Sequence, residues 1–472
     1  MVKQFLLAWI AFCLVGCSQS DSVDRIDDAD ITVIATELSA DAWRIEFHFP
    51  ASQSALIFAR SKGDYRRTSW VPIDDAPDVQ RIGGFDALIF DTPRASFAYE
   101  ISPQTEKLPQ DYTPFLGFSD GGRAVFTGQF ELLAVADRAA IEALAGDLTQ
   151  WQGEQPRLGV RIVTDRPMLV QGKRVTGSVE HTDVGGGTYV YVGESELYQG
   201  ESYIGVIDKG LPDHVRANLD DDLSALFEIY DARWGFSLPS RATLYYAFEG
   251  YTHPGYSNSG SVLGTDLMVL QSSGEALRDP DPENRVRNLW FFAHEGAHMY
   301  QSHLMRRFTV GPHAWIHEGG ANAIANSAIQ SLPGVPDDFI ISEYRSAFDQ
   351  CVADLERGSL VTAHVDGRFY AHYHCGQLFN AAADAALVDH DLYAFWATFT
   401  RRLDAVANDP DQAFYASLLE LGADPEVGDM IEALASTPRD DPRADLTRLL
   451  VISGLAPEFD ENGALISLNV PK

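Results

Sequence analysis

Apolar residues recur along this chain with two different periods, and the change of period divides it. From Ile31 to about Gly200 the alternation is every second residue. Ile31-Thr-Val-Ile-Ala-Thr and Trp43-Arg-Ile-Glu-Phe-His-Phe are the clearest cases, followed by Ala87-Leu-Ile-Phe, Phe97-Ala-Tyr-Glu-Ile, Arg157-Leu-Gly-Val-Arg-Ile-Val and Tyr189-Val-Tyr-Val. Such runs predict half-buried strands, and Asp120-Gly-Gly and Gly185-Gly-Gly supply turns between them. One helix is expected to interrupt them, over Asp137 to Gln150. From about residue 201 the period lengthens. Helices are predicted over Leu219–Trp234, Tyr344–Arg357, Tyr373–Leu387 and Leu392–Leu403, with one strand at Ala242-Thr-Leu-Tyr-Tyr-Ala-Phe. The expectation is an α+β multidomain chain: a β-sandwich-like domain over 31–200, a second domain over 201–405 and a helical segment over 406–472.

The most strongly specified helix begins at Asp281-Pro282-Glu283: an N-cap, a proline in the first turn and an acid beside it. Val286, Leu289, Trp290, Ala293, Ala297, Tyr300 and Leu304 follow at helical spacing. Within it stands His294-Glu295-Gly-Ala-His298. Two histidines four apart lie one turn apart on one face, where both imidazoles can reach one Zn²⁺, and Glu295 can reach a water there without binding the metal. Two readings stand for five residues alone: a zinc hydrolase site, or a core helix whose histidines bond to backbone carbonyls.

Downstream comes Trp315-Ile-His-Glu318-Gly-Gly-Ala-Asn322, with nineteen residues between His298 and Glu318. Gly319 and Gly320 each cost a helix roughly 1 kcal/mol against alanine. A close approach of this helix to the histidine helix would offset that. Asn322 lies one turn beyond Glu318, as a hydrogen-bond partner for a metal ligand or as a surface amide. His303, five residues after His298, is the rival third ligand and is set aside.

The pair His294-Glu295-x-x-His298 and Trp315-Ile-His-Glu318-Gly resembles the gluzincin metallopeptidases, nearest the aminopeptidase N, leukotriene A4 hydrolase and bacterial glycyl aminopeptidase branches. The resemblance implies a thermolysin-like catalytic domain, with one zinc ion on His294, His298 and Glu318 and Glu295 as general base. It also implies a Tyr-x-x-Gly segment whose tyrosine donates to the developing oxyanion. Tyr373 with Gly376 matches that segment, with Tyr370 as understudy. The branches also place an acid upstream of the histidine helix, where it holds the substrate's free amine. The corresponding stretch here, Tyr251 to Leu270, has no glutamate. Leu263–Leu270 remains the expected edge strand for an extended peptide. The expected activity is peptide-bond hydrolysis, with aminopeptidase specificity doubtful. The alternatives are a binding or assembly protein on the same scaffold, and a zinc hydrolase of a non-peptide substrate.

The first twenty residues carry one lysine and a short apolar run ending Leu14-Val-Gly-Cys17. This is similar to a bacterial lipobox. It implies a signal peptide over 1–16, lipid on Cys17 and an acidic tether over 17–30. The expected location is the bacterial cell envelope, lipid-anchored, leaning towards the outer membrane. The alternative is an ordinary signal peptide with an incidental cysteine. A formal net charge of −33 over 472 residues repels phosphate backbones, so no nucleic-acid partner is expected. The expected partners are a peptide or protein substrate and the membrane. Cys351 and Cys375 remain, either as one disulfide or as two separate thiols.

Overall fold

The computed structural model describes residues 25–108, 111–305, 311–405 and 409–469. The predicted signal peptide, Cys17 and the tether as far as residue 24 lie outside the described residues. From Arg25 onward the chain is already packed. Ile26 and Ala29 are buried against the sheet, and the Asp30 carboxylate accepts from the Arg157 amide at 2.8 Å.

The β-rich part is an 11-stranded sheet. Its main path runs Trp70–Ile73, Phe85–Ile101, Ala42–Phe58, Ile31–Ser39, Arg157–Val170, Tyr189–Val192, Arg123–Phe126 and Phe115–Gly117. Neighbours are antiparallel except Ile31–Ser39 with Arg157–Val170, which pair in parallel. The period-two residues face one core: Val33, Ala35, Trp43, Ile45 and Phe47 are buried there with Tyr99 and Val160. The helix expected over Asp137–Gln150 is two pieces, Arg138–Ala143 and a 3₁₀ turn at Leu148–Gln150. Ala145 and Gly146 take positive φ between them, and Asp147 then caps the second piece by accepting from Thr149.

A second sheet has five strands in the order Tyr198–Gln199, Tyr203–Ile207, Ala242–Phe248, Leu267–Ser273 and Ser257–Leu263. This corrects the expected edge strand. Leu267–Ser273 is buried at every position and lies inside the sheet, whereas the edge is Ser257–Leu263. The reason is chemical. A run apolar on both faces needs cover on both, while the small polar residues of Ser257-Asn-Ser-Gly-Ser tolerate an edge.

Helices complete the molecule: Leu219–Trp234, the histidine helix Pro282–Leu304, the carboxylate helix Ala314–Ile329, the wall helix Asp337–Leu355, the tyrosine helix Ala371–Ala386, and Leu392–Ala405. Pro410–Glu420, Pro425–Ser436 and Pro442–Ile452 follow, then a small hairpin of Glu458–Phe459 and Leu465–Ser467. The architecture is thus mixed α+β: a β-rich sheet domain, a mixed sheet and a helical C-terminal region. The late helices share one apolar core with the histidine helix, through Leu418, Ile431 and Leu449. Leu116, Phe126, Leu169 and Tyr191 from the first sheet meet Val206, Tyr245 and Val269 from the second, so the two sheets are seamed by a core of their own. No helix among the described residues is long and apolar enough to cross a membrane.

Candidate metal centre

The histidine helix is capped as its sequence requires: Asp281 accepts from the Glu283 amide, and Pro282 occupies the first turn. Its middle, Phe292 to Gln301, is buried throughout. His294 and His298 project from it to the same point, with their Nε2 atoms 3.1 Å apart. Glu318 arrives from the carboxylate helix, its Oε2 3.1 Å from His298 Nε2 and 3.7 Å from His294 Nε2. These three offer ligand atoms within 4.8 Å of one another, and no other such group occurs among the described residues.

The far side of each ring fixes what the near side can be. Gln301 donates its amide to the His317 carbonyl at 3.1 Å, so its oxygen faces His298 Nδ1 at 2.7 Å and accepts from it. Asn322 donates to Gln377 at 3.2 Å, and its oxygen accepts from His294 Nδ1 at 2.7 Å. With both Nδ1 protonated, each Nε2 presents a lone pair. Two lone pairs and a carboxylate oxygen then converge with no donor among them. That cluster is unfavourable unless a cation joins it. A nitrogen-nitrogen-oxygen set of this kind suits Zn²⁺.

Burial shifts every member. Burial first, and His298 beside it, push His294 down to about 3, into the neutral form. At His298 burial acts downward, but the Glu318 carboxylate outweighs it and the imidazole moves up. At Glu318 burial acts upward and is outweighed by His317 and His298, which hold the carboxyl well below its ordinary value. Glu295 belongs to the same buried cluster but stands outside the convergent set. Burial, with Glu318 adding to it, raises its carboxyl to about 7. Tyr373 lies with its ring 5.8 Å from that of His294, nearly parallel. Burial, reinforced by the Glu318 and Glu295 carboxylates, pushes its phenol well above the usual range, so it stays an O–H donor. Tyr370 is 73% exposed on the rim, 5.8 Å ring to ring from Tyr373. His303 is exposed and packs against Phe236 instead, its ring tilted 31° to that one.

Gly319 and Gly320 do offset their helical cost by close approach, but not to the histidine helix. A Cβ on Gly319 would overlap the backbone of Gly376, and one on Gly320 would strike the Trp396 ring. The partner of Gly319 is the tyrosine helix, and that of Gly320 is the helix Leu392–Ala405. Gly319 against Gly376 lets the tyrosine helix seat close to the carboxylate helix, which sets the depth of Tyr373. Cys351 and Cys375 form one disulfide, their Cα atoms 4.9 Å apart, tying the wall helix to the tyrosine helix two residues from Tyr373.

Sequence reasoning had not found Gln301, Gln377 or Trp290 as members of the site. Trp290 stacks on His294 at 6.0 Å and is held by donating Nε1–H to Asn326 at 2.6 Å. Gln301, three residues after His298 on the same face, was the legible one.

No family model and no curated protein matches this chain. Solved structures share its fold, two of them as follows. An aminopeptidase N family protein from Idiomarina loihiensis superposes with a TM-score of 0.60 at 11% identity, over 93% of this chain and 82% of that one. Native yeast leukotriene A4 hydrolase does so with a TM-score of 0.51 at 11% identity, over 88% of this chain and 68% of that one.

Proposed function

We propose that this protein is a zinc-dependent peptidase of the gluzincin type, held in a bacterial cell envelope by lipid on Cys17. The observation that carries the reading is the convergence of His294, His298 and Glu318 as three acceptors, each imidazole oriented from behind by a committed amide. Zinc, when bound by those three, supplies the Lewis acidity that activates water and polarises a carbonyl at neutral pH. The remaining work belongs to the chain. Glu295 takes the proton of the attacking water and delivers it to the departing amine, a role for which a carboxyl raised to about 7 is well matched. Tyr373 donates its O–H to the oxyanion that develops as the carbonyl becomes tetrahedral. The edge strand Ser257–Leu263 offers unpaired backbone groups to an extended substrate beside the histidine helix.

The scaffold also admits an inert binding protein and a hydrolase of non-peptide substrates. One experiment separates them: digestion of a peptide library by a soluble form lacking residues 1–17, with and without a chelator, alongside measured zinc content. Chelator-sensitive cleavage supports the reading. A protein that binds no zinc, or that is zinc-loaded yet inert on every peptide, overturns it. The lipid anchor rests on Leu14-Val-Gly-Cys17, and a buried disulfide fits the oxidising compartment it implies. A Cys17→Ser variant that still partitions with membranes would remove that part of the proposal.

A further inference from the structure

Beside His294 opens a cavity of about 260 Å³. Trp290, Phe291, Tyr370 and Tyr373 supply aromatic walls, and Ala347 and Ser346 of the wall helix supply small ones. Glu343, one turn before Ala347 on that helix, also lines it. Arg287, the nearby cation, is already engaged with Glu283 at 2.6 Å, and His374, on the same cavity wall, faces Asp354 at 3.4 Å. Glu343 itself makes no ion pair or side-chain hydrogen bond among the described residues.

We infer that this cavity is the specificity pocket of the proposed peptidase and selects a substrate carrying a positive charge next to the scissile bond, held by the Glu343 carboxylate. The inference rests on the reading of the preceding section. Three observations carry it. A part-buried carboxylate that makes no ion pair is an unfavourable arrangement that a cationic substrate group corrects. Burial indeed holds the Glu343 carboxyl above its ordinary range, with Arg287 opposing only in part. The aromatic walls add cation–π attraction and exclude water from the pair. Finally, a protein of net charge −33 draws cationic peptides towards every cleft it has. Lysine or arginine side chains and a free α-amine share the required chemistry. The edge strand lacks the acid that would hold the amine there, so the wall helix is where an acid faces the cavity.

The test uses matched fluorogenic peptides with lysine, arginine or norleucine flanking the cleaved bond, each with a free or acetylated N-terminus. The wild type is expected to prefer the cationic member by about tenfold or more in kcat/KM, expressed in KM, and Glu343→Gln to lose that ratio. A lysine or arginine preference over norleucine that persists on acetylation identifies the side chain as the group held; equal cleavage of all three free peptides, lost from all three on acetylation, identifies the α-amine. Ser346→Lys, which leaves Glu343 intact and places a cation in the same cavity, is expected to lower the ratio as well. Equal zinc content and melting temperature across the three proteins control for folding. An unchanged ratio in both variants overturns the inference. If no peptide is cleaved, the proposed activity fails but the pocket can still be judged. Calorimetric titration with L-argininamide and L-norleucinamide must show wild-type selectivity that Glu343→Gln abolishes, and equal binding to both proteins overturns it.

Discussion

Gln301 does for His298 what Asn322 does for His294, and neither is replaceable by a side chain of similar size without a carbonyl oxygen. Gln301→Leu leaves Nδ1 of His298 without its acceptor and frees the ring to rotate or to change tautomer. Zinc affinity is expected to fall by about 10–100-fold, with Asn322→Leu behaving alike, read by competition with a metal indicator. A variant that binds zinc as tightly as the wild type would leave Gln301 a packing residue only. Glu295→Gln makes the complementary prediction: zinc retained, kcat reduced by about 10²–10⁴. The pH dependence follows from the sign of the Glu295 shift. A base must be deprotonated to act, and this carboxyl is raised to about 7 by burial. A bound cation opposes that rise, so the acid limb of kcat/KM falls at or below pH 7 and is absent from the residual activity of the Gln variant. At this scale the sequence was most legible where contacts are local. His294, Glu295 and His298 are fixed by one helix, and Gln301 follows from the same periodicity. Gln377 and Glu343 come from other helices and meet the site only through tertiary packing, which spacing along the chain does not encode.

Elements were legible as types and less so as neighbours. The strand and helix periods near Ile31, Ala242 and Pro282 were correctly read, because each reflects burial of one face or of all faces. Which strand forms the edge, and which helix Gly319 approaches, depend on how faces are paired. Two predictions belong here. Gly319→Ala forces a methyl group into the backbone of Gly376, where no flexible side chain can yield. A loss of about 1–3 kcal/mol is expected in chemical denaturation. Activity is expected to fall further than stability alone explains, because the displaced helix carries Tyr373. A normal kcat in the folded variant would uncouple the glycine contact from the site. Removing the bridge by Cys351→Ala with Cys375→Ala is expected to cost about 3 kcal/mol, since the disulfide closes a loop across 24 residues of sequence. Zinc content should persist, because no ligand lies on either bridged helix.

At the scale of the whole molecule, the β-rich part and the half that carries the candidate metal centre are tied together by polar side chains as well as by their shared apolar seam. Asp208, 1% exposed at the end of a strand of the second sheet, is the central tie. Its carboxylate accepts from the amides of Ser119 at 2.9 Å, Gly210 at 2.8 Å and Phe248 at 3.0 Å, and from the Ser119 hydroxyl. Ser119 belongs to the β-rich part, whereas Gly210 and Phe248 belong to the other, so one side chain closes the ladder between them. Tyr112 adds a second tie by donating to the Val262 carbonyl of the edge strand at 3.3 Å, and Tyr245 a third, donating to the Leu169 carbonyl at 2.8 Å. Replacing Asp208 by Ala leaves three amides, of which that of Phe248 is buried, and the Ser119 hydroxyl without this acceptor. Each stranded donor costs about 1–3 kcal/mol where water does not reach it. Because the loss falls on the seam and not on either core, the expected signature is a change of cooperativity. The wild type should melt in one transition and the variant in two, with the zinc-binding half holding the later one when metal is present. A single transition merely shifted to lower temperature would mean that the apolar seam alone suffices to couple the halves. The edge strand Ser257–Leu263 is held by this same seam, through the Tyr112 hydrogen bond and the packing of Leu263. A decoupled variant is therefore also expected to show a raised KM with zinc content unaltered.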